Sequence, residues 1–174
     1  HLQILSAAAT TTREDASAAR GAPGWFQLYT TQNPDVGEAL VKRAVAAGAP
    51  AIAVTLDVRS QAKWETFTRL RRTDMRQCGS CHGASDYLSR KPNFSGIELG
   101  GVSGTAVTNL TWDAIKRLRD KVKVQLVLKG ILTSAHAKLA ADAATDATVV
   151  SNNARRAGGG LRPRCPPRPH IVRA

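Results

Sequence analysis

"WFQLYTTQNPDVGEALVKRAVAAGAPAIAVT", Trp25 to Thr55, decides how this chain folds. "WFQLY" (Trp25–Tyr29) and "AIAVT" (Ala51–Thr55) are short apolar runs that read as strands. Between them "NPDVGEALVKRAVAAG" carries the marks of one helix. Asn33 suits the N-cap, Pro34 the first helical position, and Gly48 the stop. Val36, Leu40, Ala44 and Ala47 recur on one face, as an amphipathic helix requires. The strand runs are continuously apolar, so both faces of the sheet are expected to be covered. A strand–helix–strand unit of this kind implies parallel pairing.

The same alternation extends outward in both directions. "LQIL" (Leu2–Leu5) reads as the end of a buried strand. "TTREDASAA" follows as a helix with Thr12 as N-cap and Glu14 and Asp15 in its first turn. Downstream come a capped helix over Thr111–Lys121 and a strand at "VQLVLKG" (Val124–Gly130). A helix over Thr133–Ala144 and a last strand at "ATVV" (Ala147–Val150) complete the series. Ile115, Leu118 and Val122 share one side. The expected fold class is therefore α/β, with about five parallel strands and intervening helices. A doubly wound sheet and an unclosed part of a barrel both fit, since a closed (β/α)8 barrel needs eight strands and typically about 250 residues. Between Leu56 and Leu110 the alternation lapses, and so long a stretch without strand–helix pairs reads as a lid-like insertion over 56–110.

With 174 residues, 43% of them hydrophobic, the chain makes one domain with a real core. No window approaches the 18 apolar residues of a membrane span. The start "HLQILSAAATTTRED" lacks a secretory pattern, and a cytoplasmic location is the expectation. The formal charge is +12, and half of that excess comes from Arg155, Arg156, Arg162, Arg164, Arg168 and Arg173 in a tail without acids. Only 5% of residues are aromatic, and they do not interleave with the basic ones, so nucleic-acid binding is not supported as the main function. From 157 to 174 Pro, Gly and Arg dominate, and that segment is expected to be disordered. A shifted reading frame in GC-rich coding sequence would produce this composition, as would a natural basic tail; the former is the favoured expectation.

Ligands of α/β folds bind at the C-terminal ends of the strands. The polar residues there are Ser6, Gln27, Tyr29, Thr55, Asp57, Lys129, Ser151, Asn152 and Asn153. Lys129, closing "LVLKG", stands as a lone cation at the end of a buried strand. Burying an unpaired ammonium is costly, so it points to an anionic or electron-rich ligand, unless it turns to solvent at the rim.

Five motifs in order resemble a known family. "ILSAAATTTRED", "GWFQLYT", "AIAVTLD", "LVLKGIL" and "VVSNNARR" match the FMN-dependent 2-hydroxy-acid dehydrogenases and oxidases, most of all the lactate oxidase and lactate monooxygenase branch. The resemblance covers Leu2 to about Thr55 and Thr111 to Arg156. It implies a (β/α)8 TIM barrel, here partial over 1–156 and not closed, with FMN across its mouth. It implies that Ser6, Gln27 and Thr55 bond the flavin ring, that Lys129 sits at the pyrimidine edge, and that Ser151 contacts the ribityl chain. Tyr29 and Arg156 would face the carboxylate of a small 2-hydroxy acid.

The chain departs from the family pattern in three places. Where the family reads Ser-Asn-His-Gly-Gly-Arg, this chain reads Ser151-Asn152-Asn153-Ala154-Arg155-Arg156. Asn153 thus replaces the general-base histidine, and an amide accepts no proton near neutral pH. After "TLD" the chain has Trp64 near the place of a second carboxylate-binding arginine, with Lys63 as a point charge in its stead. The family's phosphate-binding strands find no counterpart, nor does its first strand. FMN binding is accordingly expected to be weakened, and oxidation of a lactate-like L-2-hydroxy acid impaired or lost. A non-catalytic fragment pairing with a partner chain, or with itself, through open strand edges is the alternative.

"CGSCHG" (Cys78–Gly83) leaves further readings open. Cys78, Cys81 and His82 fit the c-type haem attachment pattern, and with Cys165 they fit a zinc site. Thiols in the lid-like insertion are the simplest account.

Overall fold

The computed structural model describes residues 1–57, 68–70, 72–75, 87–102, 104–105 and 110–150. Strands β1 (Ile4–Ser6), β2 (Trp25–Tyr29), β3 (Ala51–Thr55), β4 (Gln125–Lys129) and β5 (Ala147–Val149) form one sheet. Helices α1 (Arg13–Arg20), α2 (Pro34–Ala46), α3 (Trp112–Lys121) and α4 (Ser134–Asp142) lie between them. Local chemistry starts each helix. The side chains of Thr12, Asn33, Thr111 and Thr133 accept from the backbone N–H groups of Asp15, Asp35, Ala114 and His136. Such a cap contributes about 1 kcal/mol. The first strand begins two residues later and ends one residue later than "LQIL" suggests, and the others fall within their expected runs.

All four pairings are parallel, and the sheet order is β1-β2-β3-β4-β5. A doubly wound sheet reverses its strand order at a switch point. Here the order never reverses, so right-handed crossovers place every helix on the same face. That is an arc of a barrel, and the doubly wound alternative is set aside. β1 and β5 each pair on one side only among the described residues.

Side-chain alternation divides the sheet. Phe26, Ile52 and Leu126 form one row facing the helices, and Leu28, Val54 and Leu128 the next. They pack with Val36, Leu40 and Ala44 of α2, Ile115 of α3, and Ala137 and Ala140 of α4. A groove of about 430 Å³ lined by Leu28, Pro34, Leu110, Ile115, Leu118 and Lys121 lies on this outer side.

Part of the 56–110 stretch belongs to the core. Leu88 and Phe94 are buried in the main cluster, beside a 3-10 turn at Pro92–Phe94. Asn93 is fully buried there. Its Oδ1 accepts from the Arg13 N–H at 3.1 Å, and its Nδ2 donates to Thr11 O at 3.1 Å and Ser6 O at 3.5 Å. The buried Arg13 guanidinium donates to Leu40 O at 3.2 Å and lies 4.7 Å over the Phe26 ring. Burial pulls the Arg13 pKa below its usual value, against the opposing charge of Glu14. Arg43 of α2 donates to the carbonyls of Asn93 and Ser95 and pairs with Glu14 at 2.9 Å. The turn is thereby tied to α1, α2 and the loop after β1.

Candidate functional site

The face opposite the helices carries two lateral rows at its C-terminal end. The first is Ser6–Gln27–Ala53–Val127–Ala147, and the second, one step nearer the rim, is Tyr29–Thr55–Lys129–Val149. Parallel register makes this placement: Gln27 and Tyr29 are two residues apart, and Thr55 and Lys129 align directly with Tyr29. Five residues singled out from sequence, Ser6, Gln27, Tyr29, Thr55 and Lys129, therefore converge on one face at one end. Backbone bonds continue past the strand ends, from Leu56 N to Lys129 O at 2.8 Å and from Gly130 N to Val149 O at 2.9 Å. The rim is thus held together beyond the strands themselves.

The polar groups are organised. Gln27 and Thr55 are buried, and Gln27 Nε2 donates to Thr55 Oγ1 at 2.7 Å. A hydroxyl that accepts this bond keeps its own O–H for another acceptor. Ser6 Oγ accepts from Ala8 N–H at 3.1 Å, which fixes the turn after β1. Burial pushes the Tyr29 phenol above its ordinary pKa, and the charges of Tyr87 and Asp57 add to this against a hydrogen bond from Ser6. Tyr29 therefore keeps its proton at neutral pH, and its O–H is able to donate.

Lys129 is not the lone cation that its sequence context suggests. Its Nζ lies 3.3 Å from Asp57 Oδ1, and the Asp57 side chain is only 2% exposed against 31% for Lys129. The anion that a buried-strand lysine demands is supplied by the protein itself. Asp57 is thus a residue of the rim to which sequence reading assigned no role. Its signal was its place two positions after β3, and its partner is 72 positions away.

The remaining sequence candidates, Ser151, Asn152, Asn153, Arg156, Lys63 and Trp64, lie outside the described residues. So do Cys78, Cys81, His82 and Cys165 of the haem and zinc readings. Among the described residues no cluster of three or more His, Cys, Asp or Glu is placed to hold a metal ion. Among them, too, no helix is long and apolar enough to cross a membrane.

The sequential parallel arc is barrel-like and carries its polar rim at the C-terminal end of the strands. Residues 1–164 match the family model of the FMN-dependent dehydrogenases, and the chain belongs to that family. FMN is the family's cofactor. Among its relatives are a 2-hydroxyacid oxidase of Dictyostelium discoideum and an L-lactate oxidase of Lysinibacillus sphaericus. The first is 33% identical over 171 residues, covering 95% of this chain and 41% of the relative. The second is 30% identical over 179 residues, covering 98% of this chain and 46% of the relative. A crystal structure of mandelate oxidase superposes with a TM-score of 0.59 at 26% identity, over 87% of this chain and 40% of that one. The chain thus spans less than half the length of these relatives. The likeness supports the partial α/β barrel read from the sheet order.

Proposed function

We propose that this chain carries the ring-binding part of an FMN-dependent 2-hydroxy-acid oxidoreductase site. The reaction class is oxidation of a small, lactate-like L-2-hydroxy acid to the 2-oxo acid. The supporting observation is the convergence of Ser6, Gln27, Tyr29, Thr55 and Lys129 on one face at the C-terminal rim. The donor set suits the group. An isoalloxazine edge offers N1, N5 and two carbonyl oxygens as acceptors and its N3–H as a donor, and the rim offers hydroxyl and ammonium donors with an amide that can do both. Ser6, Gln27 and Thr55 would bond the ring, Lys129 would sit by its pyrimidine edge, and Ser151 would contact the ribityl chain. When bound, FMN supplies the two-electron acceptor. Tyr29 holds its proton at Oη and offers it as a hydrogen bond to the substrate carboxylate, and the planar fork of Arg156 binds the same group. A fixed ammonium at Lys129 favours negative charge on the ring.

The chain's own chemistry limits the reaction. Asn153 stands where the family pattern has its base, and loss of a positioned acid–base group lowers rates by roughly 10² to 10⁴. The reading is therefore of a weak or silent site whose ring contacts persist. Titrating FMN with the purified chain and following flavin fluorescence tests it. The expected result is saturable quenching that Gln27→Leu weakens, with no bleaching by lactate and measurable bleaching in Asn153→His. No quenching at any protein concentration would sink the proposal, and rapid bleaching of the unmodified chain would sink the impairment.

A second reading rests on the sheet edges. Leu2 before β1 and Ile4 at its start are 65% and 44% exposed, and Val150 is 42% exposed after β5. Among the described residues β1 and β5 each leave one edge unpaired, and such parallel edges flanked by apolar residues invite strand addition from another chain. A compact monomer in size-exclusion chromatography with light scattering would argue against it.

A further inference from the structure

We propose that Asp57 is a positioning residue for Lys129: its carboxylate holds the ammonium at the inner rim and offsets its charge toward a ring bound there. The inference rests on the flavin reading above and names the group that tunes it.

The approach of Asp57 to Lys129 is built into the backbone. Asp57 follows β3, and Lys129 ends β4, the neighbouring strand. The bond from Leu56 N to Lys129 O joins the two segments just where they leave the sheet. Gly130 then makes room. Its φ is +110°, and a Cβ added there would meet Asp57 Cβ at 2.7 Å, Cγ at 2.9 Å and the backbone nitrogen at 3.0 Å. Asp57 therefore lies directly against the glycine that follows its ionic partner. The result is a carboxylate buried almost completely at 3.3 Å from the ammonium. Both residues also engage further groups, so the pair belongs to a wider polar cluster.

The consequence is electrostatic. An ammonium alone would favour the reduced, anionic ring strongly. With Asp57 beside it, the site presents a near-neutral pair. At an effective dielectric constant of about 20, a unit charge as far off as about 12 Å still changes an equilibrium about tenfold. Removing the carboxylate charge therefore strengthens the preference for reduced over oxidised flavin by about tenfold, which is about 30 mV for a two-electron couple.

Asp57→Asn is the test, with Asp57→Ser in its place if the amide variant does not fold. Two readouts are needed. Reductive 13C-methylation gives each lysine an NMR signal, and Lys129→Arg identifies that of Lys129. It is expected to lie apart from the surface lysines in the unmodified chain and to join them in Asp57→Asn, while Asp57→Glu restores the separation. Spectroelectrochemical titration of FMN with protein in excess is expected to show the upward shift in Asp57→Asn. An unchanged Lys129 signal, or a potential that stays put while FMN is bound, overturns the proposal. If neither the unmodified chain nor the variant binds FMN, the flavin reading falls instead, and the Lys129 signal alone decides whether Asp57 holds it.

Discussion

Replacing Gly130 by alanine adds one methyl group at the most crowded point of the rim. Two effects are separable. The first is conformational: φ at Gly130 is +110°, a region that L side chains rarely adopt. The second is steric, because the new Cβ would sit 2.7 Å from Asp57 Cβ and 3.0 Å from its backbone nitrogen. Carbon atoms prefer about 3.5–4.0 Å, so the overlap is close to 1 Å. The Asp57 side chain cannot relieve it by rotating, since its Cβ and backbone move only with the segment after β3. Gly21 supplies the control. It closes α1 with φ +72°, its N–H bonded to Ala18 O, and nothing lies within 4 Å of an added Cβ. Gly21→Ala therefore carries only the left-handed backbone term, about 1–2 kcal/mol. Gly130→Ala carries at least that backbone term, because φ +110° lies beyond the left-handed well near +57°, and an overpacking term of about 1–3 kcal/mol. The expected totals are about 1.5 and about 3.5 kcal/mol. Urea denaturation followed by tryptophan fluorescence measures both. With a slope of about 2 kcal/mol/M, the two midpoints should differ by about 1 M. Equal destabilisation by the two substitutions would refute the close approach of Asp57 to Gly130, and with it the steric basis for the Lys129 pair.

Two other outcomes follow from buried groups. Asn93→Ala strands the Arg13 N–H and Thr11 carbonyl that the amide now satisfies; at about 1–3 kcal/mol for each orphaned group, the loss should reach about 2–6 kcal/mol in the same assay. A change below about 1 kcal/mol would show that the 3-10 turn is not tied to α1 through this side chain. Tyr29 should ionise above the ordinary tyrosine value of about 10, read as absorbance at 295 nm in the unmodified chain minus Tyr29→Phe. A raised folded-state value means that the native chain keeps the proton longer. The associated stability is complete below about pH 10 and is lost as pH rises through the higher native value. A midpoint at or below 10 would remove Tyr29 from the buried rim.

Much of the architecture could be read without coordinates because it is written in short-range chemistry. Thr12, Asn33, Thr111 and Thr133 cap helices through bonds to residues two or three positions on. Apolar runs such as Ala51–Thr55 announce buried strands by composition alone. The polar residues at the strand ends could be picked out for the same reason: strands terminate where their apolar runs do, and ligands of parallel sheets gather there. Sequence spacing does not encode strand order, so spacing alone fits a doubly wound sheet as well as a barrel arc; the family resemblance implied the arc, and the unreversed order β1 to β5 bears it out. The burial of Asn93 and Phe94 was hidden for a related reason. Their partners on α1, α2 and the loop after β1 are dozens of residues away, and no local period marks them. Lys129 illustrates the division most directly. Its need for an anion follows from one charge at the end of an apolar strand. Its pairing with Asp57 follows only from two neighbouring strands ending in register and from a glycine that leaves room for the carboxylate.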